Sequence, residues 1–272
     1  MNKFIIILLL ISIMSCKKDE NNTIPSYISI EEIILDENST HNISDAWVYI
    51  NDNLQGVYEI PATFPILIEG QQKLRIKAGI KSNGISSNRI PYPFYASYII
   101  DQQLFNPETT LLIQPVVTYI DSMTIDLNSE DFDGNGLNLE TDSLTFSIEN
   151  NLPIDNNYGV LSLNDSILSA EVLTKKFFNL PQQGSPIFLE LDYKCNTQFL
   201  IGAYINFPQS LVIEKPLLWI TPKDDWNKIY INLTSTISEA VGADSYTLFI
   251  ILQRDFNLEK NTLHFDNLRM IY

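Results

Sequence analysis

The chain carries two histidines, His41 and His264, and two cysteines, Cys16 and Cys195, so it offers little for nucleophilic, acid–base or soft-metal chemistry. His41 lies in the polar stretch ENSTHNIS and His264 in the closing stretch LHFDNLRMIY, where a satisfied or exposed imidazole is expected. No Ser-His-Asp order, nucleophile elbow or zinc-ligand spacing occurs. Carboxylates are abundant, but no pair is singled out for glycoside hydrolysis. Cys195, in LDYKCNTQF, reads as a strand end and is expected to be a buried, inert thiol, because no histidine accompanies it. These residues argue against an enzyme.

One stretch has hard-cation chemistry. Asp131-Phe132-Asp133-Gly134-Asn135-Gly136 places oxygen ligands on alternate residues and glycines where a loop must turn, as the start of a calcium loop does. The ring-closing glutamate is missing, with Asp142 and Ser143 in its place. An acidic turn is the plain alternative. No catalytic cofactor is expected, and structural calcium is the one ligand ion these residues suggest.

Lys and Arg total 17 against 33 Asp and Glu, a formal charge of -16. Such a surface repels phosphates, so nucleic acid is excluded as a partner. Hydrophobic residues make up 45% of the chain, enough for a substantial core. Tyr (13) and Phe (14) are frequent, and long helical periods are missing, which favours strands.

The N-terminus reads as an export signal. Lys3 precedes an apolar run, Phe4 to Ile13, of signal-peptide length and too short for a membrane span. Ile13-Met14-Ser15-Cys16 resembles a lipobox, which implies that residues 1–15 are a signal peptide and that Cys16 is lipidated. Lys17-Lys18-Asp19-Glu20 resembles the lipoprotein export signal of Bacteroidota, which implies a lipid anchor in the outer membrane with the chain facing outward. Asp121-Ser122-Met123, Asp142-Ser143-Leu144 and Asp165-Ser166-Ile167 resemble the O-glycosylation pattern of that phylum, with Ser122, Ser143 and Ser166 as acceptors. Residues 16–26 form a polar tether ending near Pro25.

The mature chain divides into residues 27–119 and 120–272. In the first, Ala46, Val48 and Ile50 alternate with Trp47 and Tyr49, so the aliphatic set faces a core and the aromatic pair faces outward as a candidate binding surface. Asn51-Asp52-Asn53 makes a turn, and Leu74, Ile76 and Ala78 alternate in a later strand. Val48, Ile50, Asn51, Gly56, Pro61, Leu67, Gly70, Leu74 and Ile76 resemble the PEGA domain pattern, with Asp52 where glycine is usual and Gln72 where histidine is common. The resemblance spans about 35 residues and implies a small Ig-like β-sandwich without catalytic residues.

In residues 120–272, Leu144, Phe146 and Ile148 are expected to point inward, as are Ile187, Leu189, Leu191 and Tyr193. Further strands are expected over 199–207, 224–234, 245–254 and 263–272. Trp219 and Trp226 are expected as core anchors. The strands around Trp226 and Phe265 resemble a galactose-binding-like jelly roll, the fold of many carbohydrate-binding modules. That resemblance implies a structural calcium near the last strand, with Asp266 as a second, separate candidate ligand. The chain as a whole is therefore expected to be all-β, a PEGA-like sandwich followed by a jelly-roll sandwich. Its expected role is a non-enzymatic binding or scaffolding lipoprotein. The rivals are a glycan-binding lipoprotein of a polysaccharide-uptake system and an accessory subunit of an outer-membrane secretion or assembly complex.

Overall fold

The computed structural model describes residues 24–36, 39–134, 136–150, 156–164 and 166–272. Cys16, Lys17, Lys18, Asp19 and Glu20 lie outside the described residues. The regular structure is almost all strand.

The N-terminal half, to Tyr119, contains β1 (Ser26–Ile30), β2 (Ile34–Leu35), β3 (Asp45–Ile50), β4 (Asn53–Glu59), β5 (Ala62–Ile66), β6 (Gly70–Lys81), β7 (Arg89–Pro91), β8 (Tyr98–Phe105), β9 (Thr110–Leu112) and β10 (Val116–Val117). One sheet has the order β4-β3-β6-β7, with β8 also paired to β6. A three-stranded sheet, β5-β1-β9, and the pair β10-β2 complete this half. Alternation sets the packing. Val48 lies opposite Ile76 and Ile50 opposite Leu74, all four buried against Ile28, Ile30 and Phe64 of the smaller sheet. Asn51 and Asp52 connect β3 to β4 with φ of 49° and 64°, the left-handed pair that a two-residue hairpin demands. Aspartate tolerates that conformation.

The C-terminal half contains β11 (Leu139–Glu140), β12 (Phe146–Asn150), β13 (Asn157–Leu163), β14 (Ser169–Thr174), β15 (Phe177–Phe178), β16 (Phe188–Cys195), β17 (Phe199–Asn206), β18 (Val212–Ile220), β19 (Lys223–Asn232), β20 (Ser245–Gln253) and β21 (Asn261–Ile271). A short helix, Thr234–Glu239, links β19 to β20. Two antiparallel sheets pack face to face, β11-β14-β20-β17-β18 (with β15 on β20) and β12-β13-β21-β16-β19. Leu189, Leu191, Ile201, Leu248 and Phe265 fill the space between them. The ring of Phe249 lies so close over Gly202 that any side chain there would collide with it.

Two expectations about this half fail. Leu144 is 80% exposed and Ile148 is also on the surface. Phe146 does pack against the core as expected, but the strand starts only there and pairs with β13 alone, so Leu144 precedes it and Ile148 lies on an edge strand with solvent beside it. Trp219 and Trp226 are not core anchors either, being 45% and 39% exposed. β18 and β19 are the edge strands of their sheets, and the Trp-bearing parts of both run to the sandwich surface.

The two halves share a core. Phe188, Tyr230 and Ile271, on the outward face of the β16–β19–β21 sheet, are buried with the N-terminal residues Tyr92, Phe94 and Tyr119. The backbone joins there too. Ser82 bridges Tyr230, and the Asn83 amide donates to the Tyr230 carbonyl at 2.8 Å.

Candidate functional site

In β16 the residues Leu189, Leu191 and Tyr193 point into the sandwich, and Phe188, Glu190, Asp192 and Lys194 point out. Register sets Asp192 beside Asp266 of β21 and Lys228 of β19, and Lys194 beside His264. The N-terminal half covers one end of this outward face. The Tyr92 hydroxyl donates to Glu190 Oε1 at 2.6 Å and the Tyr119 hydroxyl to Glu190 Oε2 at 2.8 Å. The other end stays open.

At the margin of the covered end lies a groove of about 500 Å³. Trp226 and Tyr158 form its aromatic side, with ring centroids 5.5 Å apart and planes at 81°. The Lys194 ammonium sits 5.6 Å from the Trp226 ring centre. Thr40 and His41 of the N-terminal half close the groove, so both halves build it. The polar wall is Asn156, Asp192, Asp266 and Asn267. These groups position one another. Thr40 Oγ1 donates to Asp192 Oδ2 at 2.5 Å, and Asn267 Nδ2 donates to the same oxygen at 2.9 Å. Asn156 Nδ2 donates to Asp266 Oδ2 at 2.9 Å, and the Asn267 amide donates to Asp266 Oδ1 at 2.6 Å.

Burial pushes the Asp266 carboxyl up to about 6, against the pull of its Asn156 and Asn267 donors and with the nearby Asp192 and Asp133 charges adding to the rise. A carboxyl raised in this way beside a second carboxylate in one groove is the raw material of general acid–base catalysis. Three of the four oxygens accept from the threonine and asparagine donors above, and the fourth, Asp192 Oδ1, lies 3.9 Å from Lys228 Nζ. His264 stands next to the groove, its ring 5.6 Å from that of Tyr158. Burial and the Lys194 charge lower its pKa, and its Nδ1 is buried with no hydrogen-bond partner among the described residues.

No protein-family model matches the chain, and no curated protein matches it. Among solved structures it is similar to the CBM22-2 xylan-binding domain of Xyn10C from Paenibacillus barcinonensis, at 13% identity over 54% of this chain and 98% of that one, with a TM-score of 0.39. It is also similar to the family 11 carbohydrate-binding module of the cellulase Lic26A-Cel5E of Clostridium thermocellum, at 13% identity over 54% of this chain and 94% of that one, TM-score 0.34. A structure of carbohydrate-binding modules from the β-sandwich superfamily spans 92% of this chain and 99% of its own, at 13% identity and TM-score 0.41. Likeness of this size is one of general shape and says nothing of a ligand.

The residues singled out in the sequence fall in several places. Trp47 and Tyr49 lie on the outer face of β3, half-buried, away from the groove. The Arg75 guanidinium lies 4.7 Å from the Tyr49 ring centre. Asp131, Asp133 and Asp266 do not make a cation cage. Among the described residues no three His, Cys, Asp or Glu side chains converge to hold a metal ion. The loop after β10 is organised by an anion instead. Glu130, buried just before it, accepts from the Phe132 amide at 2.7 Å and the Asn138 amide at 2.5 Å. A calcium loop turns carbonyl oxygens inward, whereas this one turns N–H groups toward a carboxylate. Asp133 Oδ1 likewise accepts from Asn157 Nδ2 at 3.0 Å, and Asp131 Oδ1 from the Asp133 amide at 3.3 Å. Ser122, Ser143 and Ser166 are exposed in turns. Cys195 is buried, and burial pushes its thiol pKa up.

Sequence reasoning missed Tyr158, Asn156 and Asn267 as site residues. Tyr158 had a legible signal, since it precedes Gly159 in a stretch that alternates through Val160 and Ser162. Nothing in the sequence pairs it with Trp226, 68 positions later by number.

Proposed function

We propose that this chain is a non-enzymatic glycan-binding lipoprotein, anchored by lipid on Cys16 to the outer membrane and exposed at the cell surface. The observation that carries the binding reading is the open groove in which exposed Trp226 meets Tyr158 at 5.5 Å beside a wall of carboxylate and amide side chains. A sugar ring has apolar C–H faces and a polar hydroxyl rim. An aromatic platform takes the face, and fixed Asp and Asn side chains take the rim. The engagement of Asp192 and Asp266 by neighbouring donors supports binding over hydrolysis. The anchor rests on the Ile13 to Cys16 pattern and the surface location on Lys17 to Glu20.

Calorimetric titration of the mature chain with a panel of soluble neutral polysaccharides, xylan among them, tests this. At least one is expected to bind, with affinity reduced tenfold or more by Trp226→Ala, a loss of about 1.4 kcal/mol, and with no reducing ends released. Absence of binding across the panel, with stable co-purification of an outer-membrane barrel protein, would instead favour the accessory-subunit reading. Release of reducing ends would defeat the non-enzymatic one.

A further inference from the structure

A second groove, of about 430 Å³, opens at another part of the junction between the halves. Its N-terminal wall is the turn Asn83–Ser86, and its C-terminal wall is the end of β18 and the start of β19. The walls are fixed to each other. The Asn83 amide donates to the Tyr230 carbonyl at 2.8 Å, and Asn83 Oδ1 accepts from the Asn232 amide at 2.8 Å. Across the junction Asn42 Nδ2 donates to Asn227 Oδ1 at 3.1 Å.

The lining has two unusual features. Trp219 and Ile85 border the groove from opposite halves, and each is 45% exposed. Exposed apolar side chains occur elsewhere on the chain, but here two from opposite halves, one of them an indole, face one cleft, as recognition surfaces have them. The second feature is charge. Lys81, Lys223 and the buried Lys228 line the groove, the last already paired with Glu190, and no Asp or Glu lines it among the described residues, although the chain as a whole carries -16. Lys81 shares its charge with Glu59 at 3.4 Å. Lys223 is exposed and also borders a smaller groove with Asp224 and His264. The Trp226 groove differs in carrying two carboxylates, Asp192 and Asp266, beside Lys228.

We propose that this groove, which meets the Trp226 groove at Asn227 and Lys228, is a second binding site and that it takes an acidic sugar, a uronate unit. The sugar ring lies on Trp219 with Ile85 as the facing wall. The carboxylate pairs with the Lys223 ammonium, and Asn83 Nδ2 donates to a ring hydroxyl. A neutral sugar gains the stacking but not the ion pair, so the groove discriminates by charge.

The probes are a galacturonate trisaccharide and the neutral galactose trisaccharide, titrated into the mature chain at low salt and at about 0.15 M salt. The uronate is expected to bind more tightly than its neutral counterpart and to weaken as salt rises. Trp219→Ala and Lys223→Gln should each weaken uronate binding about tenfold or more, while Lys223→Arg retains most of it. Both positions are exposed, and unchanged melting temperatures would exclude unfolding as the cause. Trp226→Ala should leave uronate binding unchanged, which separates this proposal from the neutral-glycan reading of the other groove. Equal affinity for the two trisaccharides, uronate binding that survives both Trp219→Ala and Lys223→Gln, or no uronate binding at all would overturn it.

Discussion

Lys228 Nζ lies 2.8 Å from Glu190 Oε2, with the two side chains 1% and 0% exposed. Both belong to the C-terminal sandwich, yet the remaining capacity of the Glu190 carboxylate is met from the N-terminal half, by the hydroxyls of Tyr92 and Tyr119. Burial, reinforced by the Glu190 charge, holds both phenols well above their usual pKa, so they remain protonated donors. Pulling the halves apart would strip this carboxylate of two of its partners. The junction is therefore as specific in its polar groups as in its apolar ones.

Removing one member of this pair leaves the other charged and buried. Lys228→Met is expected to destabilise the full chain by about 3–5 kcal/mol. Adding Glu190→Gln removes the stranded charge and keeps an acceptor for the tyrosines, so the double variant should recover more than half of the loss. Urea unfolding of the three proteins measures this. A single variant costing less than about 1 kcal/mol would show that the pair is not shielded as described.

Asp266 gives a pH signature. Its carboxyl sits at about 6 in the fold against an ordinary 3.8. Between those values the folded chain holds the proton more tightly than the unfolded chain, so this group's contribution to stability falls as pH rises from about 4 through about 6. Asp266→Asn cannot ionise and escapes that fall. The melting temperature of the variant minus that of the parent should therefore rise across this window. A difference that stays flat with pH would show that Asp266 titrates normally.

Alternation made the inner faces legible. Val48 with Ile50, and Leu189 with Leu191, are buried as period two requires. It failed where the environment on the other face depends on something distant in sequence. In FLELDYKC the polar residues alternate outward, which reads as solvent, yet Glu190 and Asp192 are covered by the N-terminal half. Trp226 was misplaced by an argument from size, because bulk says nothing about whether a strand lies at an edge. The calcium-like loop has a partner that the motif does not contain, because Glu130 stands just outside it and accepts from backbone amides, which no residue pattern displays. The groove needs Thr40, Tyr158, Trp226 and Asp266 together, and only the fold unites them.

The anchor is tested directly. Cys16→Ala is expected to abolish incorporation of labelled fatty acid and to release the chain from the membrane fraction. Replacing Lys17 to Glu20 by alanine should retain the lipid but protect the chain from protease added to whole cells. Label that persists in Cys16→Ala would defeat the lipid claim, and equal digestion with and without Lys17 to Glu20 would defeat the export claim.

The last test concerns the two faces of β3. Val48 is fully buried, between Gly56 of β4 and Ile76 of β6, so Val48→Ala is expected to cost about 1–3 kcal/mol. Its neighbours Trp47 and Tyr49 point the other way. Tyr49 lies beneath Arg75 and Lys77, and the Trp47 indole packs over Gly79, where a larger residue would collide with it. Both aromatic rings keep some surface in solvent, and their truncation removes half-buried rather than core area. The stability lost per carbon deleted should therefore be greater for Val48→Ala than for the pair Trp47→Ala with Tyr49→Ala. The double variant is expected to unfold in one cooperative transition and to capture less partner from detergent-solubilised membranes, because exposed Trp and Tyr are favoured anchors at recognition surfaces. If the double variant fails to fold while Val48→Ala is silent, the strand faces are reversed. If it folds and captures its partner undiminished, the aromatic pair is packing alone.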